Sequence, residues 1–176
     1  FRVKKYQLDF SMGLNLTGRA KVYVDQSELK SYRFTLYHGY KVKQVTDQTG
    51  AALDFRREYD YVTVTRGGAD VEYLCLEYTG KSPKYYSSYA GVCLPANFAY
   101  YPIPGYRELF KDSFYGFIDC SLPYDTAFDV RCSGRKQMYC NLAARGNNHF
   151  AGNARSITLL SGYYDTLKLN NTLVVY

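Results

Sequence analysis

Tryptophan is absent from this 176-residue sequence, and histidine occurs only as His38 and His149. A hydrolytic zinc site of the H-E-x-x-H kind needs two imidazoles one helical turn apart with a glutamate between them, and no such motif occurs. A single histidine beside Gly39 reads as a turn residue rather than a metal ligand. The Gly-x-Ser-x-Gly elbow, the dinucleotide fingerprint and the phosphate-binding loop are missing as well. Asp119, Asp125 and Asp129 lie close in sequence. Asp129, between Phe128 and Val130, reads as the solvent side of a strand, and Asp125 as turn chemistry. The expectation is a chain without catalytic residues, metal or cofactor.

The five cysteines, Cys75, Cys93, Cys120, Cys132 and Cys140, include no C-x-x-C pair, which argues against structural zinc. Their odd number leaves at least one thiol unpaired within the chain. Buried thiols acting as small hydrophobes are expected, with a Cys132–Cys140 disulfide across a hairpin as the alternative. No apolar run reaches the roughly 18 residues of a membrane-crossing helix. The net charge is +6, yet the 22 basic residues are scattered, clustering only in pairs such as Lys4-Lys5, Arg56-Arg57 and Arg135-Lys136. Nucleic-acid binders gather charge on one face, so no nucleic-acid partner is expected.

What the sequence does hold is rings: 21 tyrosines and 10 phenylalanines. Both are strand formers, because a flat ring packs well on a pleated surface. One reading is a β-protein with many half-buried rings. The other is a ring-lined surface for sugars or peptides, since tyrosine offers an apolar face and a polar tip.

Period-2 alternation is the dominant pattern. Residues 3–10 and 14–24 alternate around Gly13 and read as a hairpin. Residues 32–36 and 40–45 form two more strands, and Asp47-Gln48-Thr49-Gly50 is a turn with glycine where positive φ is needed. Further strands are expected over 60–65, 71–78, 114–121, 126–132, 137–143, 157–160, 165–169 and 173–176, with a short pair opening at 147–154. Ser133-Gly134-Arg135-Lys136 reads as a hairpin turn, and residues 107–111 as one helical turn at most. No helical stripe is present, so the fold class is all-β: an antiparallel sandwich or bent, saddle-like sheet of about a dozen short strands in one domain over 1–176.

Residues 79–115 form a crossing between the two halves. Its centre, Leu94-Pro95-Ala96-Asn97-Phe98-Ala99-Tyr100-Tyr101-Pro102-Ile103-Pro104-Gly105, holds three of the five prolines. Proline lacks a backbone N–H and pushes the residue before it to extended geometry, which excludes a helix or central strand here. Tyr85, Tyr86, Tyr89, Phe98, Tyr100 and Tyr101 are the candidate interaction surface. The competing reading is that these rings pin the crossing onto the sheet. Asn15-Leu16-Thr17 and Asn170-Asn171-Thr172 match the glycosylation pattern, which matters only in a eukaryotic secretory setting. Phe1 at the start and the strand-like Leu173-Val174-Val175-Tyr176 at the end lead to the expectation of a piece of a longer protein.

The order of segments resembles the N-terminal β-domain of M1-family (gluzincin) aminopeptidases. The residues that carry this are Tyr6-Gln7-Leu8-Asp9-Phe10 with Leu16-Thr17-Gly18-Arg19-Ala20-Lys21-Val22, Leu36 to Asp47, Val71 to Gly80, Ala127-Phe128-Asp129-Val130, and Ser156 to Gly162. The family's F-P-C-x-D-x-P segment is replaced by Tyr101-Pro102-Ile103-Pro104-Gly105, and its G-A-M-E-N and H-E-x-x-H motifs do not occur. The Tyr-Tyr-Pro-Ile-Pro-Gly segment is instead similar to M1-like domains of bacterial ABC-2-type transporter permeases. That resemblance implies a non-catalytic extracytoplasmic domain, tethered to the membrane by segments outside these residues. Its partner would be another protein or the remainder of the parent membrane protein, with a peptide or a cell-wall carbohydrate as a further ligand. An accessory domain of a zinc aminopeptidase and a carbohydrate-binding module are the alternatives.

Overall fold

A computed structural model describes residues 1–108, 120–170 and 172–176. Over these, sixteen strands form four sheets, and no helix is present among the described residues. The expected strand at 114–121, the turn at 107–111, Asp119 and the middle residue of the second glycosylation triplet fall wholly or partly outside them.

The largest sheet has seven strands in the order β12-β13-β10-β1-β2-β7-β4. Its centre is β1 (Val3–Met12) and β2 (Leu16–Val24), the expected hairpin, paired antiparallel from Met12 opposite Leu16. Alternation sets the faces: Tyr6, Leu8 and Phe10 of β1 and Ala20 and Val22 of β2 are buried. Lys5, Gln7 and Asp9 point the other way, towards solvent, as a one-sided antiparallel sheet requires. Next come β7 (Tyr73–Gly80) and β4 (Tyr40–Thr46) on one side, and β10 (Thr126–Gly134), β13 (His149–Ala154) and β12 (Ala143–Gly146) on the other. β1 and β10 run parallel, from Lys5 opposite Ala127 to Met12 opposite Gly134. This pair joins the two halves of the chain side by side and is the one parallel pairing among the described residues. Gly18 of β2 lies opposite Tyr78 of β7, whose ring covers it so closely that a Cβ would strike the ring.

A four-stranded sheet, β5-β6-β3-β9, faces the same core with Tyr32, Phe34, Val62 and Val64. It comprises β3 (Ser31–Thr35), β5 (Phe55–Glu58), β6 (Tyr61–Thr65) and β9 (Ile103–Pro104). A three-stranded sheet of β11 (Gln137–Cys140), β14 (Leu159–Gly162) and β8 (Gly91–Leu94) contributes Met138, Leu159 and Leu94. Last in the chain, β15 (Thr166–Leu169) and β16 (Thr172–Val175) form a two-stranded hairpin of their own.

At two links in the chain, consecutive strands do not pair with each other, and at the second a hairpin was expected. The strands on either side of His38-Gly39 belong to different sheets, and the link between them is a tight turn closed by the Tyr40 N–H onto the Tyr37 carbonyl at 3.0 Å. The Arg57 guanidinium donates to the carbonyls of Leu36, Tyr37 and Tyr40 at 2.9, 2.8 and 2.7 Å. Likewise, residues 133–136 do not close a hairpin. β10 is already flanked by β1 and β13, so it has no free edge, and β11 pairs with β14 instead. Cys132 and Cys140 therefore sit on different sheets, and no disulfide joins them. Burial pushes the Cys132 thiol up to about 12, with nearby Cys140 adding to the rise.

Candidate functional site

The crossing segment places its rings in two environments. Phe98, Tyr100 and Tyr101 are no more than 1% exposed and lie in the core. Tyr101 stands edge-on to Tyr6 at 5.4 Å and to Tyr100 at 5.1 Å. Three hydroxyls fix the segment. Tyr6 donates to the Pro102 carbonyl at 2.8 Å, Tyr78 to the Tyr100 carbonyl at 2.9 Å, and Tyr100 to the Ile157 carbonyl at 2.9 Å. The Tyr101 hydroxyl approaches the Ile157 backbone without making a hydrogen bond. A proline-rich stretch donates few N–H groups, so its carbonyls need partners from elsewhere, and the sheet tyrosines provide them. Desolvation raises the pKa of Tyr6, Tyr78, Tyr100 and Tyr101 well above the ordinary tyrosine value. All four hydroxyls stay protonated, and those of Tyr6, Tyr78 and Tyr100 remain donors. Pro104 pairs with Phe34 on the outermost strand of its sheet, where a missing N–H is tolerated.

The remaining three rings lie towards the surface. Tyr86 is half-buried against Phe98 at 4.8 Å, and Tyr85 packs edge-on against Tyr86 at 4.5 Å. Tyr89 is 99% exposed. It sits at the tip of a tight loop closed by Ser88 N–H to the Gly91 carbonyl at 2.8 Å and Cys93 N–H to the Tyr86 carbonyl at 2.8 Å. The loop holds the ring out rather than letting it collapse onto the sheet.

Tyr89 stands over a groove of about 430 Å³. Three turns meet there: Met12, Gly13 and Leu14 from the β1–β2 turn, Gly134 to Lys136 leading into β11, and Tyr163 after β14. Lys136 is the central group. Its ammonium lies over the Tyr89 ring at 5.6 Å and the Tyr163 ring at 5.2 Å, and donates to the Tyr89 carbonyl. Tyr163 is 81% exposed and Leu14 97%. Arg135 lines the same groove, and among the described residues no carboxylate does. Sequence reading identified Tyr89 but neither Tyr163 nor Lys136, because they are brought together by pairing between strands distant in the chain.

Both histidines pair with aspartates. His38 Nδ1 lies 2.9 Å from Asp60 Oδ1, which also accepts the His38 backbone N–H at 2.6 Å. Tyr59, at φ 51°, stacks on the imidazole at 4.2 Å. The cluster locks the 36–40 link, in keeping with a turn role for His38. His149 Nε2 meets Asp129 Oδ1 at 2.9 Å across β10 and β13, so Asp129 is half-buried rather than fully solvated. Among the described residues no three His, Cys, Asp or Glu side chains stand close enough to hold a metal ion.

A second surface lies on the β15–β16 hairpin. Pairing of Leu167 with Val174 and Leu169 with Thr172 puts Leu167, Leu169, Val174 and Tyr176 on one face. All four are exposed. On the other face Leu173 closes a cleft of about 780 Å³ against Met138, Leu142 and Phe150.

No protein-family model and no curated protein sequence matches the chain. Solved structures do. An M1 zinc metallopeptidase mutant from Deinococcus radiodurans bound to a Tyr-Ser-Ala substrate superposes with a TM-score of 0.60 at 14% identity, covering 98% of this chain and 46% of that one. A two-domain M1 zinc metallopeptidase bound to L-arginine gives 0.59 at 14% identity with the same coverage. Native leukotriene A4 hydrolase from Saccharomyces cerevisiae gives 0.60 at 10% identity over 98% of this chain and 31% of that one. The part matched is the N-terminal domain of these M1 enzymes. The chain thus spans less than half the length of the proteins whose fold it shares.

Proposed function

We propose that this chain is a non-catalytic β-domain that acts by contact, docking through its terminal hairpin onto the remainder of a larger protein. The observation that carries this is the apolar outer face of β15–β16. An isolated two-stranded hairpin is marginal in water, and Leu167, Leu169 and Val174 are exposed on it. The occupant argued for is the rest of the parent polypeptide, because proteins of this fold continue well beyond the part matched here. In this reading the parent is an extracytoplasmic bacterial membrane protein of the ABC-2 permease type, supported by the similarity of Tyr101-Pro102-Ile103-Pro104-Gly105 to such domains.

A second reading makes the chain the accessory domain of an M1 zinc aminopeptidase. The two-domain peptidases among the structural relatives favour it. The reading frame beyond both ends of the chain separates the two. Apolar spans of about 20 residues, the length needed to cross a bilayer, support the membrane reading. An H-E-x-x-H motif on a downstream helical pattern replaces it with the peptidase reading. The docking claim has its own test. In the parent protein, Leu167→Lys with Val174→Glu, an opposite-charge pair across the two strands, is expected to lower thermal stability, while the same pair in this chain alone leaves it unchanged. Equal effects in both contexts would refute hairpin docking.

A further inference from the structure

The geometry points to the groove beneath Tyr89 and Tyr163 as a binding site for a carboxylated sugar chain. Tyr89, Tyr163 and Leu14 are almost wholly exposed, so they add little to the core, and the tight 88–91 loop spends hydrogen bonds on holding Tyr89 outward. A tyrosine face accepts the C–H face of a pyranose, and its hydroxyl remains available at the rim. Lys136 sits between the two rings with one ammonium proton committed to the Tyr89 carbonyl. A lysine has three donors, which leaves two for an anion. With Arg135 beside it and no carboxylate in the lining among the described residues, the groove matches a sugar bearing a negative charge better than a neutral one. A carboxylate meeting Lys136 makes a charge-assisted hydrogen bond.

Two other anionic occupants fit less well. A peptide that added itself as a strand would need the free edge of β8, but that edge is already taken. Ser87 bridges Val92, and Cys93 N–H donates to the Tyr86 carbonyl. A single-stranded nucleic acid would need a track of cations along its backbone, and among the described residues the groove offers only Arg135 and Lys136. This site is independent of the hairpin docking proposed above.

The test is a calorimetric titration of this chain with tri-galacturonic acid, the neutral galactose trimer, tri-glutamate and a short oligothymidylate. Saturable binding of tri-galacturonic acid is expected, with the neutral trimer weaker by about tenfold, the scale of one hydrogen bond to a charged group. Lys136→Met should lose a similar factor, and Tyr89→Ala and Tyr163→Ala should each weaken binding. Circular dichroism and Tm should hold in all three. Tyr59→Asn removes an exposed ring elsewhere, at a left-handed position asparagine tolerates, and should bind as the parent chain does. Absence of saturable binding up to millimolar acidic trimer overturns the proposal. So does equal affinity for the neutral trimer, preference for tri-glutamate or oligothymidylate, or unchanged binding in the three groove variants.

Discussion

The strongest structural claim is that sheet hydroxyls hold the proline-rich crossing in place, and Tyr78→Phe tests it. The substitution keeps the ring and deletes the donor to the Tyr100 carbonyl, a contact of 2.9 Å inside the core. The orphaned carbonyl has no route to water, so the cost is about 1–3 kcal/mol. For a chain of this size each kcal/mol lowers Tm by roughly 2–4 °C. Tyr101→Phe is the internal control, since its hydroxyl makes no hydrogen bond. Removing it should change stability by less than about 0.5 kcal/mol, or raise it, because a buried unpaired hydroxyl costs free energy. Tyr6→Phe removes the neighbouring anchor on Pro102. With Tyr78→Phe it should show a coupling of about 0.5 kcal/mol or more, because both act on one short segment. Urea denaturation of the three single variants and the double supplies the numbers. Equal stabilities for Tyr78→Phe and Tyr101→Phe would refute the reasoning.

The buried tyrosines predict steep alkaline unfolding. Tyr6, Tyr40, Tyr78, Tyr100 and Tyr101 have raised folded-state pKa values, from burial above all. Their contribution is complete below the unfolded value near pH 10 and is lost as pH climbs towards the folded values, at about 1.4 kcal/mol per group per unit. Five groups give roughly 7 kcal/mol per pH unit, so tyrosinate absorbance and loss of circular dichroism should rise together. Gradual ionisation of these rings without unfolding would contradict their burial. Thiol labelling gives a separate check: Cys93 is exposed while Cys75 and Cys120 are buried. Ellman's reagent at neutral pH should therefore modify Cys93 first, and early labelling of Cys75 or Cys120 would contradict the packing.

Much of the fold was legible because alternation is a local signal. The β1–β2 hairpin follows from Tyr6, Leu8 and Phe10 alternating with polar neighbours. The Asp47 turn follows from side-chain chemistry: Asp47 Oδ1 accepts the Thr49 N–H at 2.8 Å, and Gly50 takes φ 86°. What alternation does not encode is which sheet a strand joins. The separation of β3 from β4 depends on Arg57 and Asp60, which lie about twenty residues away in the chain. The parallel β1–β10 pair joins residues more than a hundred positions apart. The short strands β5, β8 and β9 carry too few residues to show a period. At the groove, Tyr89 was visible as an aromatic in a loop. Its partners Lys136 and Tyr163 become neighbours only through the β11–β14–β8 sheet. Of the candidate rings, Phe98, Tyr100 and Tyr101 are indistinguishable in sequence from Tyr85 and Tyr89. The difference between them is made by hydroxyl donors from strands far away.

The central claim is that the β15–β16 hairpin is covered by the rest of a parent protein. Amide hydrogen exchange across Thr166–Leu169 and Thr172–Val175, measured in this chain and in the intact parent, tests it most directly. Hydrogen bonds of an exposed hairpin open readily, so the account predicts fast exchange here and slowing by at least about tenfold in the parent, equivalent to 1.4 kcal/mol of added local stability. Equal exchange in the two would show that nothing docks on the hairpin and would contradict the account.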